Sequence, residues 1–222
     1  MHLLSINIGS ARTIGNANVS GQTGIFKLPV AGPVQVTADG LAHDAIVDTE
    51  NHGGSDQAVY VYGGADYAWW SVELGRELAP GTFGENLTIS DLESAALAIG
   101  DRLHIGGRLH ASGVILEVTA PRIPCWKLAQ RMSDPGFVKR FRAAERPGAY
   151  CRVVRAGELR TGDPVTLVPY ADERVTIAEI FRDTYEPAHD PDAIHRFLAA
   201  PLAIRTRAAK ERQLREALRG EG

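Results

Sequence analysis

Gly100-Asp101-Arg102-Leu103-His104-Ile105 and Gly162-Asp163-Pro164-Val165-Thr166-Leu167 share one local pattern, an acidic glycine turn that releases a short β-rich run. Both read as strands entered the way the hairpins of a β-barrel begin, and their similarity is too short to be a repeat. Outward from them, runs of the same kind lie at Leu3–Ile8, Val34–Thr37, Ala58–Tyr62, Asn86–Ile89, Val114–Thr119 and Tyr150–Ala156, separated by Gly, Pro and Asp. Short strands at that spacing predict a closed or nearly closed barrel. Two helices interrupt them. Ala65–Leu78 carries Tyr67, Trp70, Leu74 and Leu78 at helical spacing, a stripe that reads as core, and Asp134-Pro135 reads as N-cap and N1 of a helix through Phe137 and Phe141.

After Tyr170 glycine disappears until the end of the chain and helix signals follow one another. Thr176-Ile177-Ala178-Glu179 fits a capping box, and Asp190-Pro191 fits an N-cap followed by proline at N1. The fold class expected is therefore mainly β, a β-barrel over residues 1–170 with a few helices, followed by a three-helix module over 171–222. The last helix, from about Leu202, carries Arg205, Arg207, Lys210, Arg212, Arg215 and Arg219. Three short helices with a basic third one match a DNA-reading helix-turn-helix, but Asp172, Glu173, Glu179, Asp183, Glu186, Asp190 and Asp192 nearly balance the charge. A solvated helix, or a docking face for an acidic protein, is the favoured reading.

With 222 residues, 44% hydrophobic and 23% charged, and a net charge of -3, the chain has the composition of an ordinary globular protein. Nothing in that balance asks for nucleic acid or a membrane. Met1–Asn7 lacks a basic n-region and no run approaches eighteen apolar residues, so the cytoplasm is the expected location. Only two cysteines are present, Cys125 and Cys151, which exclude a zinc cage and a disulfide framework. A redox cofactor would have to be held mainly by other groups.

Pro121-Arg122-Ile123-Pro124-Cys125-Trp126-Lys127-Leu128 sets one thiol between two prolines and two cations. Proline fixes φ and removes a donor, so the segment reads as a stiff exposed loop. Thiolate is the reactive and metal-binding form of cysteine, whereas free cysteine is also among the most buried residue types, and the residues alone leave both roles for Cys125 open. His52-Gly53-Gly54-Ser55-Asp56-Gln57 precedes a strand, as does Gly81-Thr82-Phe83-Gly84-Glu85-Asn86. Paired glycines there allow backbone N–H groups to approach an anion, or simply make a tight turn. Neither is a Walker A or dinucleotide fingerprint. Lys27, in Gly24-Ile25-Phe26-Lys27-Leu28-Pro29-Val30, reads as an edge-strand solubility residue or a phosphate ligand.

Taken together, Gly24–Val30, His52–Val59, Phe83–Thr88, Pro121–Leu128, Gly162-Asp163 and the tail at Ile194-His195-Arg196-Phe197-Leu198 resemble MOSC-domain proteins of the YiiM type over nearly the full length. The resemblance implies a MOSC-type β-barrel that binds the molybdenum cofactor, molybdopterin with Mo, through the metal ligand Cys125. No pyridoxal phosphate is expected. By the same resemblance, Lys27 and Arg122 meet the pterin phosphate. His52, Gly53, Gly54, Asp56, Gln57, Phe83, Gly84, Glu85 and Asn86 would bind the pterin edge. The activity implied is molybdenum-dependent reduction of N-hydroxylated compounds, such as hydroxylaminopurine-type base analogues, to amines, a detoxification. His52 is the expected proton donor, because imidazole titrates near neutrality.

With no flavin or iron–sulfur site in the chain, electrons would come from an external flavoprotein or iron–sulfur reductase, for which the basic last helix is the candidate docking face. A homodimer is implied by analogy alone. The sequence departs from the family's usual Gly-Asp at Ala42-His43-Asp44, which places His43 near the pocket mouth, and Cys151 reads as core packing. Two other functions remain open: a sulfur carrier holding a persulfide on Cys125, and a non-catalytic module that binds the cofactor or a protein partner.

Overall fold

The computed structural model describes residues 1–15, 20–45, 47, 54–107 and 113–220. The first half runs β1 (Leu3–Gly9), β2 (Arg12–Gly15), β3 (Ser20–Thr23), β4 (Lys27–Pro29), β5 (Val34–Thr37), β6 (Gly40–Leu41), β7 (Val59–Gly63), α1 (Gly64–Leu74), β8 (Leu87–Ile89) and β9 (Arg102–Ile105). It continues with β10 (Val114–Pro121), α2 (Trp126–Met132), α3 (Phe137–Ala144), β11 (Ala149–Arg155), β12 (Gly157–Leu159), β13 (Val165–Val168), α4 (Ile177–Tyr185), α5 (Pro191–Ala199) and α6 (Ile204–Gly220).

Eight strands form one sheet in the order β13-β9-β10-β11-β7-β8-β1-β4. All neighbours are antiparallel except β7 and β8, which run parallel because α1 carries the chain back between them. The sheet does not close into a barrel, which corrects that expectation. β13 at one end approaches β1, the neighbour of the other end strand, at an isolated bridge between His2 and Pro164, where Leu3 N–H donates to Asp163 O (2.8 Å), Gly162 N–H to Leu3 O (2.8 Å) and Val165 N–H to Met1 O (3.0 Å). Proline has no N–H with which to extend that ladder, and the turn closed by Asp163 N–H on Arg160 O (3.0 Å) ends it. The mainly β reading is corrected as well: six helices among the described residues make the fold a mixed one, still built on its sheet.

Glycine and proline chemistry sets the helix limits. α1 stops at Leu74, short of Leu78, because Gly75 takes the left-handed conformation (φ 61°) and closes the helix through Ser71 and Val72 carbonyls. α3 begins at Phe137, not at Pro135, because the Asp134 carboxylate accepts the Gly136 N–H (2.8 Å) in a turn that precedes the helix. The Thr176/Glu179 capping box and the Asp190 cap with Pro191 at N1 both form.

Two apolar clusters hold the fold. One joins sheet residues such as Leu3, Ile6, Val59, Leu87, Leu103, Leu116 and Cys151, and it continues through Val175, Ile177, Ile180 and Phe197 of the C-terminal segment. The other is aromatic. Tyr62, Trp70, Phe83, Phe137 and Phe141 pack with ring centroids 4.6–6.4 Å apart, joining β7, α1 and α3. Truncating a fully buried ring such as Phe141 to alanine removes about 3–5 kcal/mol. The predicted stripe on α1 is thus core, and Cys151 is buried in β11, where burial pushes its thiol pKa up. No helix among the described residues is long and apolar enough to cross a membrane.

Candidate functional site

One cleft opens where four chain segments converge: Thr23–Lys27, Asp44–Ala45, Gln57–Tyr60 and Arg122–Lys127. Val47, Gly84, Asn86 and Tyr150 complete its lining, and its cavity volume is about 100 Å³. Close backbone approach builds it. A Cβ on Gly24 would stand 2.0 Å from the Ala45 carbonyl oxygen, so only glycine lets the Thr23–Lys27 segment lie against Ala45. Gly84 has φ 79° and would press a side chain into Ile25 at 2.7 Å.

Arg122 follows directly from the end of β10 and is 4% exposed. Its guanidinium carbon lies 5.6 Å from the Tyr60 ring centroid and 5.7 Å from that of Phe141, and Nη1 is buried with no hydrogen-bond partner. Burial works against this charge, Tyr60, Tyr150 and Cys125 favour it, and the net effect on its pKa is upward. Leaving a buried charged donor unmade costs about 1–3 kcal/mol or more. The fold therefore holds a cation in the cleft with a bond to spare.

Cys125 is the N-cap residue of α2, with φ -130° and ψ 175°. Its carbonyl accepts the Leu128 N–H (3.0 Å), but its side chain makes no cap bond, and the half-buried thiol faces the same cleft as Arg122. The expected exposed loop is thus corrected. Pro121 closes a strand, Arg122 and Pro124 are buried, and a helix starts at Trp126, since proline ahead of a first turn removes no helical bond.

Lys27 is almost fully buried and its ammonium pairs with the Asp44 carboxylate. That carboxylate also accepts the Gly9 N–H (2.8 Å) and the Asn86 side-chain amide (2.8 Å). Burial pushes the Lys27 pKa down, opposed by Asp44. Asn86 in turn accepts the Tyr60 N–H (3.1 Å), tying the wall to β7. Asp44, Tyr60 and Tyr150 are wall residues that the sequence pattern does not mark; for Asp44 the one local signal is its place in Ala42-His43-Asp44. His43 is exposed, in the left-handed region at φ 66°, and is not among the lining residues.

Lys27, Gln57, Gly84, Asn86, Arg122 and Cys125 are brought together on the wall. Phe83, Glu85, Gly54 and Asp56 are not. Phe83 belongs to the aromatic cluster. Glu85 is fully buried behind the wall, where one oxygen accepts from Tyr67 Oη (2.6 Å), Gly81 N–H (2.6 Å) and Thr88 Oγ1 (2.8 Å) and the other has no partner. Burial pushes its pKa up against those three bonds. Gly54 is exposed, with φ 79°, and Asp56 turns its carboxylate toward Ile204 and Arg152. His52 and Gly53 lie outside the described residues. Among the described residues no cluster of three or more His, Cys, Asp or Glu is placed to hold a metal ion.

The MOSC domain model matches residues 48–166. The uncharacterized protein YflK of Bacillus subtilis is 30% identical over 197 residues, covering 89% of this chain and 86% of its own length. A protein named Reductase from Gibberella moniliformis is 34% identical over 151 residues, which are 66% of this chain and 26% of that much longer protein. The crystal structure of YiiM from Geobacillus stearothermophilus superposes with a TM-score of 0.77 at 28% identity, over 96% of this chain and 98% of that one.

Proposed function

Because the chain belongs to the MOSC-domain family, with YiiM a homologue in sequence and structure, we propose that it is a cytoplasmic molybdenum-cofactor-dependent reductase of N-hydroxylated compounds. The observation that carries this reading is the buried, unpartnered Nη1 of Arg122 on the same wall as the Cys125 thiol. Those two groups suit a cofactor that is both phosphorylated and metal-bearing: a guanidinium fork bonds phosphate oxygens two at a time, and a thiolate is a soft ligand. The relative named Reductase supports oxidoreductase chemistry.

In this reading Arg122 takes a phosphate oxygen on its free Nη1, and Asn86, Gln57 and the backbone around Gly24 and Gly84 line the pterin's edge. Lys27 contributes its remaining ammonium protons while Asp44 holds it in place. Cys125 would hold the metal through its thiolate sulfur. The aromatic cluster backing Arg122 keeps water from that side of the wall. Two-electron removal of oxygen from N–OH, giving amine and water with uptake of two protons, is chemistry that a molybdenum centre supplies when bound. His52 is the proton donor this proposal carries forward from the sequence. Electrons come from an external flavoprotein or iron–sulfur reductase.

Substituting Arg122→Gln tests the phosphate assignment. Protein from a cofactor-competent host is expected to carry near-stoichiometric pterin as the parent and to lose most of it as the variant, at unchanged thermal stability. Equal pterin content in both would overturn it.

A further inference from the structure

Asp56 lies beside the cleft without lining it, and its carboxylate joins the cleft wall to the C-terminal helix. One carboxylate oxygen accepts the Ile204 N–H (2.8 Å) from 148 residues away, at the start of α6. The other pairs with Arg152 Nε at 3.3 Å. Arg152 itself donates to the Pro201 carbonyl (3.0 Å), and Ala203 N–H donates to Thr119 O (3.0 Å), so the approach to α6 is fixed on β10 and β11. Thr119 Oγ1 holds the Asp56 carbonyl at 2.5 Å. The next residue, Gln57, lines the cleft, and its amide oxygen accepts from Arg205 Nη1 (3.3 Å). With that oxygen committed to α6, the NH2 end is the donor left for the cleft.

The first N–H groups of a helix have no partner within it, and an anionic acceptor there is favoured by the helix dipole. Asp56 fills that role from a distant turn, so the position of the Ser55–Gln57 turn and the seating of α6 depend on one carboxylate. α6 has a second anchor remote from the cleft, where Lys210 pairs with Asp183 and Gln213 donates to the Ala188 carbonyl (2.7 Å). Cutting the Asp56 contact therefore leaves the helix attached.

We propose that Asp56 is a positioning residue that couples the first turn of α6 to the cleft wall, so that anion binding in the cleft and seating of α6 reinforce each other. This rests on the reading of the cleft as a phosphate site. Coupling of this kind is reciprocal: a ligand that steadies Gln57 steadies Ile204, and a protein that engages α6 changes affinity in the cleft. The basic helix is thereby a handle on the cofactor site as well as a surface.

The test uses inorganic phosphate as the probe, with titration calorimetry for affinity and hydrogen exchange for the peptide containing Ile204. Phosphate is expected to bind the parent and slow exchange at the start of α6. Asp56→Ala is expected to weaken phosphate about tenfold and abolish that slowing. Asp56→Asn, which keeps an acceptor oxygen for Ile204, recovers part of both. Gln213→Ala, at the remote anchor, speeds exchange along α6 while leaving phosphate affinity at the parent value. If the parent binds phosphate and both Asp56 variants match it in affinity and protection, the coupling is wrong and the phosphate site stands. A parent that binds no phosphate overturns the site and the coupling together.

Discussion

Lys27 and Asp44 form a buried ion pair inside the cleft, and the Asp44 carboxylate is further bonded by Gly9 N–H and by Asn86. Much of the Lys27 charge is therefore already answered by the protein. Arg122 keeps a buried donor, Nη1, without a partner, so in the proposed function Arg122 would receive the anion and the Lys27–Asp44 pair would shape the wall that the anion meets.

Asp44→Asn follows from that pair. It removes a negative charge from the cleft while its amide oxygen still accepts the Gly9 N–H. A like charge on the same cleft wall opposes a bound anion, and removing it is expected to be worth on the order of 1.4 kcal/mol. Phosphate affinity measured by calorimetry should rise about tenfold. Unchanged or weaker binding would show that Asp44 is not the anion's competitor.

Glu85 supplies a pH-dependent prediction. Its pKa is raised in the folded protein by burial, so between its unfolded value of 4.5 and its folded value the native state binds more protons than the unfolded one. Stability contributed by this group is thus present at low pH and falls as pH rises through that window. Glu85→Gln keeps an acceptor for Tyr67 and Gly81 and cannot ionise, so chemical denaturation should show a flatter stability profile from pH 4.5 upward. Pterin content should be unaffected, because Glu85 stands behind the wall. Loss of pterin at unchanged stability would place it in the site.

Local chemistry explains what the sequence disclosed. Arg122 and Cys125 are three positions apart in one proline-braced segment, so their meeting needed no tertiary information. β5 and β9 were legible to the residue, and the Thr176 cap was legible because Glu179 lies in the same turn. The Lys27–Asp44 pair was not, since two strands, β5 and β6, separate its members. Helix α2, only seven residues long, carries too few positions to show a period after Pro124. Asp56 is expected at the pterin edge because the resemblance covers the whole His52–Gln57 loop, yet adjacent side chains diverge, and its partner lies 148 residues away. Barrel closure failed for a similar reason: whether two sheet edges pair depends on contacts such as His2 with Pro164, which no local pattern encodes.

In the proposed function Cys125 would supply sulfur to a molybdenum centre in this cleft. X-ray absorption at the molybdenum edge, on parent and Cys125→Ala protein from a cofactor-competent host, tests it directly. Molybdenum is expected in both, with one sulfur scatterer fewer around the metal in the variant and loss of hydroxylamine reduction. Identical sulfur coordination in the two proteins, or parent protein that carries sulfane sulfur on Cys125 and no molybdenum, would contradict it.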